Sequence, residues 1–252
     1  METAHNSAST SSVNPVIPAA RDRLIVALDL PAIQSVRQFL PRLEGQCRWF
    51  KVGLELFIAA GPSVVSELVA SGFSVFLDLK LHDIPNTVAG AVKSASACGA
   101  SMLTLHASGG PQMMQAALEA AATLPNAPKL LAVTVLTSMN AQQLHATGVM
   151  QQPAEQVELL ARMGLAAGMR GFVCSAQETA RLRDIAGADV TLVIPGIRPA
   201  GVALDDQKRV ATPADALRNG ANFLVVGRPI VQAENPAMAA ASILTEMEAA
   251  LA

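Results

Sequence analysis

Short apolar runs alternate along the chain with segments in which apolar residues recur every three or four positions. The runs typical of buried strands cover residues 24–29, 48–52, 74–80, 102–106, 130–137, 171–175, 191–197 and 223–227. Between them, Val157, Leu160, Ala161 and Gly164 illustrate the spacing that places one stripe of a helix against a sheet. A final Ala-rich helix is predicted over residues 236–251. The pattern indicates eight strands that alternate with helices.

Eight strand–helix units favour a single (β/α)8 TIM barrel over residues 21–252, an α/β fold that typically takes about 250 residues. The alternative is an open, doubly wound sheet. Such a sheet normally carries a glycine-rich dinucleotide turn after its first strand. Residues 28–31, Leu-Asp-Leu-Pro, contain no glycine. The closed barrel is therefore the predicted fold.

Residues 1–20 differ in composition from the rest of the chain. They are rich in Ser, Ala, Thr, Asn and Pro, and have no Lys or Arg and no sustained apolar run. We expect a disordered tail here rather than a secretory signal. No window of the chain approaches 18 uninterrupted apolar residues, so a membrane span is not expected.

Charge and cysteine content narrow the class of protein further. The net charge is −2 and the sequence pI is about 6.1, which disfavours partners such as nucleic acid or an anionic membrane surface. Three widely spaced cysteines, Cys47, Cys98 and Cys174, show neither disulfide nor zinc spacing. We therefore expect no metal site and a reducing, cytoplasmic location.

Charged residues gather at the end of the third predicted strand. Asp78 and Lys80 share a strand face by alternation. Asp83 follows in a loop, just before Ile-Pro interrupts regular structure and Asn86 offers a cap for a new helix. Buried charges are costly unless they are paired. This cluster is therefore either a structural ion network or an active site.

Candidate site residues also lie at or just beyond the ends of six of the seven other predicted strands. They are Asp29, Lys51, His106, Thr137 with Ser138, Arg198, and Gly227 with Arg228. The carboxyl ends of barrel strands meet at one rim, where barrel enzymes carry their active sites. Glycines and arginines after strands seven and eight suit a phosphate group. Residues 199–206 form a polar segment that is long enough to act as a flap over a bound phosphate.

Several of these segments together resemble the orotidine 5′-phosphate decarboxylase family. The resemblance runs from about residue 23 to residue 234. It is carried by Ala-Leu-Asp at 27–29, Lys-Val-Gly-Leu-Glu-Leu-Phe at 51–57, Phe-Leu-Asp-Leu-Lys-Leu-His-Asp-Ile-Pro-Asn-Thr at 76–87, Pro-Gly-Ile-Arg at 195–198 and Val-Gly-Arg at 226–228. The uninterrupted third segment is the most specific of them.

The resemblance implies decarboxylation of orotidine 5′-monophosphate to UMP and CO2, without a cofactor, in pyrimidine biosynthesis. It implies a homodimer in which Lys51, Asp78 and Lys80 of one subunit meet Asp83 and Thr87 of the other, with Lys80 as proton donor. The implied substrate-binding residues are Asp29 and Lys51 for the ribose, Thr137 or Ser138 for the pyrimidine, and Arg198, Gln207, Gly227 and Arg228 for the phosphate.

Four other interpretations remain open from the residues alone. The charged cluster could be purely structural, or Lys80 could form a Schiff base, although neighbouring carboxylates oppose the depressed pKa which that chemistry needs. A related barrel could act on sugar phosphates with Mg²⁺, but such relatives place an acidic metal ligand where this chain has Lys51. Finally, the barrel could bind a phosphorylated ligand without catalysis.

Overall fold

The computed structural model describes residues 19–199 and 211–252. Within these residues eight parallel strands form a closed barrel in chain order, with β8 pairing back to β1. The strands are β1 (Leu24–Ala27), β2 (Trp49–Gly53), β3 (Ser74–Leu81), β4 (Met102–His106), β5 (Lys129–Val133), β6 (Gly171–Val173), β7 (Thr191–Ile194) and β8 (Phe223–Val226). The predicted fold is confirmed.

Helices surround the barrel. They are α1 (Ile33–Phe39), α2 (Leu54–Ala60), α3 (Ser63–Ala70), α4 (Pro85–Ala97), α5 (Gly110–Ala122), α6 (Ala141–Ala146), α7 (Pro153–Ala166), α8 (Thr179–Ala186), α9 (Pro213–Arg218), α10 (Arg228–Val231) and α11 (Pro236–Leu251). Short 3-10 helices span Ala20–Asp22, Leu40–Leu43 and Ala107–Gly109. The last helix has the predicted bounds.

Strand alternation divides the apolar side chains into two cores. The larger core lies between the strands and the helices. The smaller one fills the barrel interior and is formed by Ile25, Ala27, Phe76, Met102, Leu131, Val193 and Val225. Because residues two apart share a face, the polar residues Lys51, Asp78, Thr104 and His106 continue these interior rows toward the carboxyl rim. The filled interior thus supports a polar layer above it.

Five strands end earlier than their apolar pattern predicts, among them β6, which ends at Val173, and β8, which ends at Val226. β1 ends at Ala27, β5 at Val133 and β7 at Ile194, so the polar residues expected at their tips lie in loops. For β7 the physical cause is Pro195, which has no N–H to donate to a neighbouring strand. Ile197 beyond it makes only an isolated parallel bridge with Ala211.

β3 departs from regular geometry at the charged cluster. Its register with β4 shifts between the pairs Leu77–Leu103 and Leu81–Leu105. Over this stretch β3 therefore contains two more residues than β4. Lys80 lies within it and has a φ of 50°, the left-handed region that costs about 1–2 kcal/mol for a residue with a Cβ. Asp78 and Lys80 thus meet as strand alternation predicted, although the strand between them is irregular.

Two local expectations at the ends of elements need correction. The helix after β3 begins at Pro85 with Ile84 as its N-cap, so Asn86 lies inside the first turn and is not the cap. A proline fits the first helical position, where its missing N–H has no intrahelical partner to lose. Ala20, assigned to the tail from composition, begins a 3-10 helix and is buried.

Some expectations lie outside the described residues. These are the disorder predicted for residues 1–18, most of the flap predicted for 199–206, and the phosphate contact of Gln207. Among the residues that the structure does describe, we find no helix with both the length and the apolarity to cross a membrane.

Candidate active site

A cavity of about 220 Å³ opens at the carboxyl rim between β1, β2, β7 and β8. Five of the predicted site residues line it: Asp29, Lys51, Arg198, Gly227 and Arg228. They come from four separate strand ends, which only barrel closure brings together. Two arginines and one lysine face a single carboxylate in this lining, so the cavity favours an anionic ligand.

Charges of alternating sign lead from this cavity into the barrel. The Lys51 ammonium lies 2.8 Å from Oδ1 of Asp29 and 4.0 Å from Oδ2 of Asp78. The Lys80 ammonium lies 2.8 Å from the same Oδ2. The side chains of Lys51 and Asp78 are each only 13% exposed. Each interior charge is therefore paired, as partial burial requires.

Close approach to Lys51 depends on a glycine that sequence reasoning did not assign to the site. A Cβ atom at Gly53, at the end of β2, would lie 2.9 Å from Nζ of Lys51 and 3.7 Å from Oδ1 of Asp29. Such a distance is too short for a Cβ contact, so a side chain here would displace the ammonium. The Lys-Val-Gly spacing was the available signal, since residues 51 and 53 share a strand face.

Different local structures position Arg198 and Arg228. Arg198 is only 7% exposed, and its backbone N–H donates a hydrogen bond to the carbonyl of Ala211. The turn before it needs Gly196, whose φ is 75°. Arg228 begins α10 directly after Gly227, where a Cβ would come 3.4 Å from Oδ2 of Asp29. Both arginines therefore line one cavity, each from a separate strand end.

Asp83 and Thr87 do not line this cavity. Both are exposed, and Asp83 instead lines a shallow hollow of about 530 Å³ with His82, Ile84, Ser108 and Gly109 among its other walls. Oδ1 of Asp83 accepts a hydrogen bond from the backbone N–H of Ile84. Within one subunit, the Asp83 carboxylate thus bonds its neighbour Ile84 and forms no ion pair with Lys51 or Lys80.

Thr137 and Ser138 lie in the turn after β5, four and five residues beyond its last residue, Val133. The structure does not place either of them in the lining of the arginine cavity. Thr137 is half-buried and Ser138 is exposed. Their predicted contact with a pyrimidine ring stays a prediction.

His106 ends β4 beside the charged cluster. Burial lowers the pKa of His106 from its ordinary value of 6.5, His82 and Lys80 lower that pKa further, and Asp78 opposes them. The rings of His82 and His106 lie 5.4 Å apart, centre to centre.

Comparison with known proteins turns this geometry into a family assignment. The model of the "Orotidine 5′-phosphate decarboxylase / HUMPS family" matches residues 22–243. The chain belongs to this family. A protein of Opitutus terrae named orotidine 5′-phosphate decarboxylase is 54% identical over 227 residues, covering 89% of this chain and 98% of the relative. One of the same name from Nitrosococcus oceani is 51% identical, covering 90% and 98%.

Solved structures give the same picture for the fold. The crystal structure of orotidine 5′-phosphate decarboxylase from Lactobacillus acidophilus superposes with a TM-score of 0.80 at 39% identity, over 89% of this chain and 98% of that one. The family match spans all eight strands and the residues at their tips that form the cavity and the charged cluster. The family resemblance drawn from the short motifs is confirmed.

Proposed function

We propose that this chain decarboxylates orotidine 5′-monophosphate to UMP and CO2, the step that produces UMP in pyrimidine biosynthesis. The observation that carries the proposal is the alternating Lys51–Asp78–Lys80 cluster beside a cavity with two arginines. The cavity provides charge for a phosphate, and the cluster provides an ammonium for the reacting carbon. Relatives at 50% identity or more that carry this activity in their names support it.

The chemistry requires stabilisation of a carbanion. When the bond from C6 to the carboxylate breaks, its electron pair stays on C6 in the plane of the ring, where the π system cannot delocalise it. The Lys80 ammonium, 2.8 Å from Asp78, stabilises that charge and transfers its proton to C6. Solvent then returns a proton to Lys80. Fixed charges of this kind need no reorganisation during the reaction.

Asp78 contributes through its position beside Lys80. A substrate carboxylate next to Asp78 is repelled, and the repulsion is relieved when CO2 leaves. Two unit charges about 4 Å apart interact by about 4 kcal/mol at an effective dielectric of 20. Large enzymatic accelerations correspond to roughly 8–23 kcal/mol. Repulsion alone therefore cannot account for a large acceleration. Stabilisation of the carbanion by Lys80, together with binding of the phosphate, must supply most of the lowering of the activation barrier.

The remaining roles follow the family pattern. Asp29 and Lys51, 2.8 Å apart, hold the ribose hydroxyls, and Thr137 or Ser138 contacts the pyrimidine. Arg198, Gly227 and Arg228 hold the phosphate, together with Gln207 from outside the described residues. The proposal needs no metal or organic cofactor.

We further propose a homodimer in which Asp83 and Thr87 complete the partner's site. Both residues are exposed, and Asp83 forms no ion pair with Lys80 of its own subunit, which supports this arrangement. Ile84, which follows Asp83, is 66% exposed, and Ile58 on α2 is 78% exposed. Helices α2 and α4 line one apolar cavity and are therefore neighbours. These exposed isoleucines supply apolar surface that a partner subunit would cover.

The three cysteines are free thiols, which supports the proposal that the protein works in the reducing cytoplasm.

A magnesium-dependent sugar-phosphate reaction is the competing activity, because the family description also includes HUMPS proteins. The Lys51 ammonium lies between Asp29 and Asp78, and its positive charge would repel a cation there. The deciding experiment mixes the purified protein with orotidine 5′-monophosphate and EDTA and follows the absorbance change as UMP forms. Turnover supports the proposal; turnover only of sugar phosphates with Mg²⁺ would overturn it.

A further inference from the structure

Thr104 is a fully buried polar residue in the middle of β4, with 0% of its surface exposed. It lies between Met102 and His106 on the interior face, in a strand that is otherwise apolar up to its last residue. A buried hydroxyl is costly unless it is hydrogen-bonded. Its partners therefore indicate why a threonine is present here.

Both partners of the Thr104 hydroxyl belong to the charged cluster on β3. The backbone N–H of Lys80 donates to Oγ1 of Thr104 over 2.8 Å, and Oγ1 donates to Oδ1 of Asp78 over 2.9 Å. A backbone N–H can only donate, so the single hydroxyl proton is left for the carboxylate. The directions of both hydrogen bonds are therefore determined.

The first hydrogen bond replaces one that the sheet does not make. The register of β3 and β4 shifts across Asp78–Lys80, and the φ of Lys80 is 50°. A buried N–H needs an acceptor, and in this irregular stretch the threonine side chain supplies it. Thr104 thus holds the backbone of Lys80 in a conformation that a residue with a Cβ rarely adopts.

The second hydrogen bond orients the Asp78 carboxylate. With Oδ1 engaged by Thr104, Oδ2 is the oxygen that faces Nζ of Lys80 at 2.8 Å and Nζ of Lys51 at 4.0 Å. Rotation of the carboxylate would break these contacts. One hydroxyl therefore sets the backbone of Lys80 and the side chain of Asp78 relative to each other.

We propose that Thr104 is a positioning residue for the decarboxylation, acting through Asp78 and Lys80 without touching the substrate. The inference rests on the proposed function, since it assumes that Lys80 delivers its proton to the substrate. A small displacement of a reacting group lowers the reaction rate strongly. Binding of the phosphate at the arginine cavity, in contrast, does not depend on β4. Loss of the hydroxyl therefore lowers kcat more than it changes affinity.

The test replaces Thr104 with Val, which keeps the branched shape, and with Ser, which keeps the hydroxyl. We expect Thr104→Val to lower kcat by roughly 10- to 100-fold, the scale of a lost hydrogen bond to a charged group. The inhibition constant of UMP, which lacks the carboxylate, should stay within about threefold. Thr104→Ser should restore kcat to within about threefold of wild type.

A matched control is Thr191→Val at the opposite end of the barrel. Thr191 is also a buried interior threonine, and its hydroxyl accepts a hydrogen bond from Nζ of Lys129 at 2.9 Å. Its replacement should leave kcat unchanged. Equal losses of kcat in the two valine variants would show a general packing effect and overturn the proposal, as would failure of Ser to restore kcat.

If Thr104→Val does not fold, Thr104→Ala replaces it, and a kcat within about twofold of wild type would overturn the proposal. The two levels of inference fail differently. A wild-type protein that does not turn over orotidine 5′-monophosphate contradicts the proposed function. A wild-type protein that does, with an active Thr104→Val variant, contradicts only the role of Thr104.

Discussion

The ammonium of Lys80 lies 2.8 Å from Oδ2 of Asp78, two residues earlier on the same strand. This ion pair is partly buried, because the Lys80 side chain is 31% exposed and that of Asp78 is 13% exposed. An exposed ion pair would contribute little to stability. At the end of a barrel strand, next to a cavity lined by two arginines, the same pair holds the proposed proton donor in place.

Lys80→Ala removes the proposed proton donor and the charge that stabilises the carbanion. We expect kcat to fall by at least roughly a thousandfold, the combined scale of acid catalysis and electrostatic stabilisation. UMP should still bind, as titration calorimetry would show, because the arginine cavity remains. Lys93→Ala, an exposed lysine on α4, is the control. Near-wild-type turnover by Lys80→Ala would refute the role of Lys80.

Arg228→Ala removes one guanidinium from the proposed phosphate site. The specificity constant for orotidine 5′-monophosphate should fall by roughly 10- to 100-fold, the scale of a charged hydrogen-bonded pair. Orotidine, which has no phosphate, should react equally slowly with the variant and the wild type. Arg162→Ala serves as control, since Arg162 pairs with Glu158 on α7. An equal loss on both substrates would argue against a phosphate contact.

Mixing two inactive variants tests the shared site. If Asp83 acts on the partner's Lys80, a dimer of one Lys80→Ala subunit and one Asp83→Ala subunit contains one complete site. Subunits exchanged at equal ratio should then recover about a quarter of the wild-type activity, because half of the dimers are mixed. If Asp83 acts within its own subunit, mixing recovers nothing beyond the two variants measured separately.

Gly53→Ala should disturb the site without unfolding the protein. The backbone at Gly53 is extended, with φ −94° and ψ −177°, so alanine can adopt it, and the atom in conflict is the movable end of Lys51. We expect a roughly 10- to 100-fold loss of kcat/KM. The free energy of unfolding in urea should change by about 1 kcal/mol or less. Unchanged activity would mean that Lys51 need not stay beside Asp29.

His106 should make stability depend on pH. Its pKa in the folded protein lies below the ordinary 6.5, first because of burial and then because of His82 and Lys80. Below pH 6.5 the unfolded chain therefore binds a proton more readily, and the free energy of unfolding falls until the pH passes the folded pKa. Above that window both states are neutral at His106, so it contributes no pH dependence there.

The measurement is urea unfolding of wild type and His106→Gln between about pH 5.5 and 8, above the range in which most carboxylates titrate. The variant should lose less stability as the pH falls. Parallel curves for the two proteins would show that another group controls the dependence.

Much of the architecture is encoded locally. Eight apolar runs separated by helical patterns predicted the closed barrel, and the polar residues at their ends predicted the rim. Asp29, Lys51, Arg198, Gly227 and Arg228 could be assigned to one site before their distances were known, because parallel barrel strands bring their carboxyl ends together. The family motifs added the chemistry.

The sequence by itself therefore determined the fold, the family and the residues at the rim, since strand alternation and strand ends are local properties of a chain. Only the tertiary structure decided that Thr104 joins Lys80 to Asp78 and that Gly53 leaves room for Lys51. These contacts depend on how neighbouring strands align, and β3 shifts its register against β4 at the charged cluster. Such a shift changes which side chains meet across the sheet, while the apolar pattern of each strand stays the same.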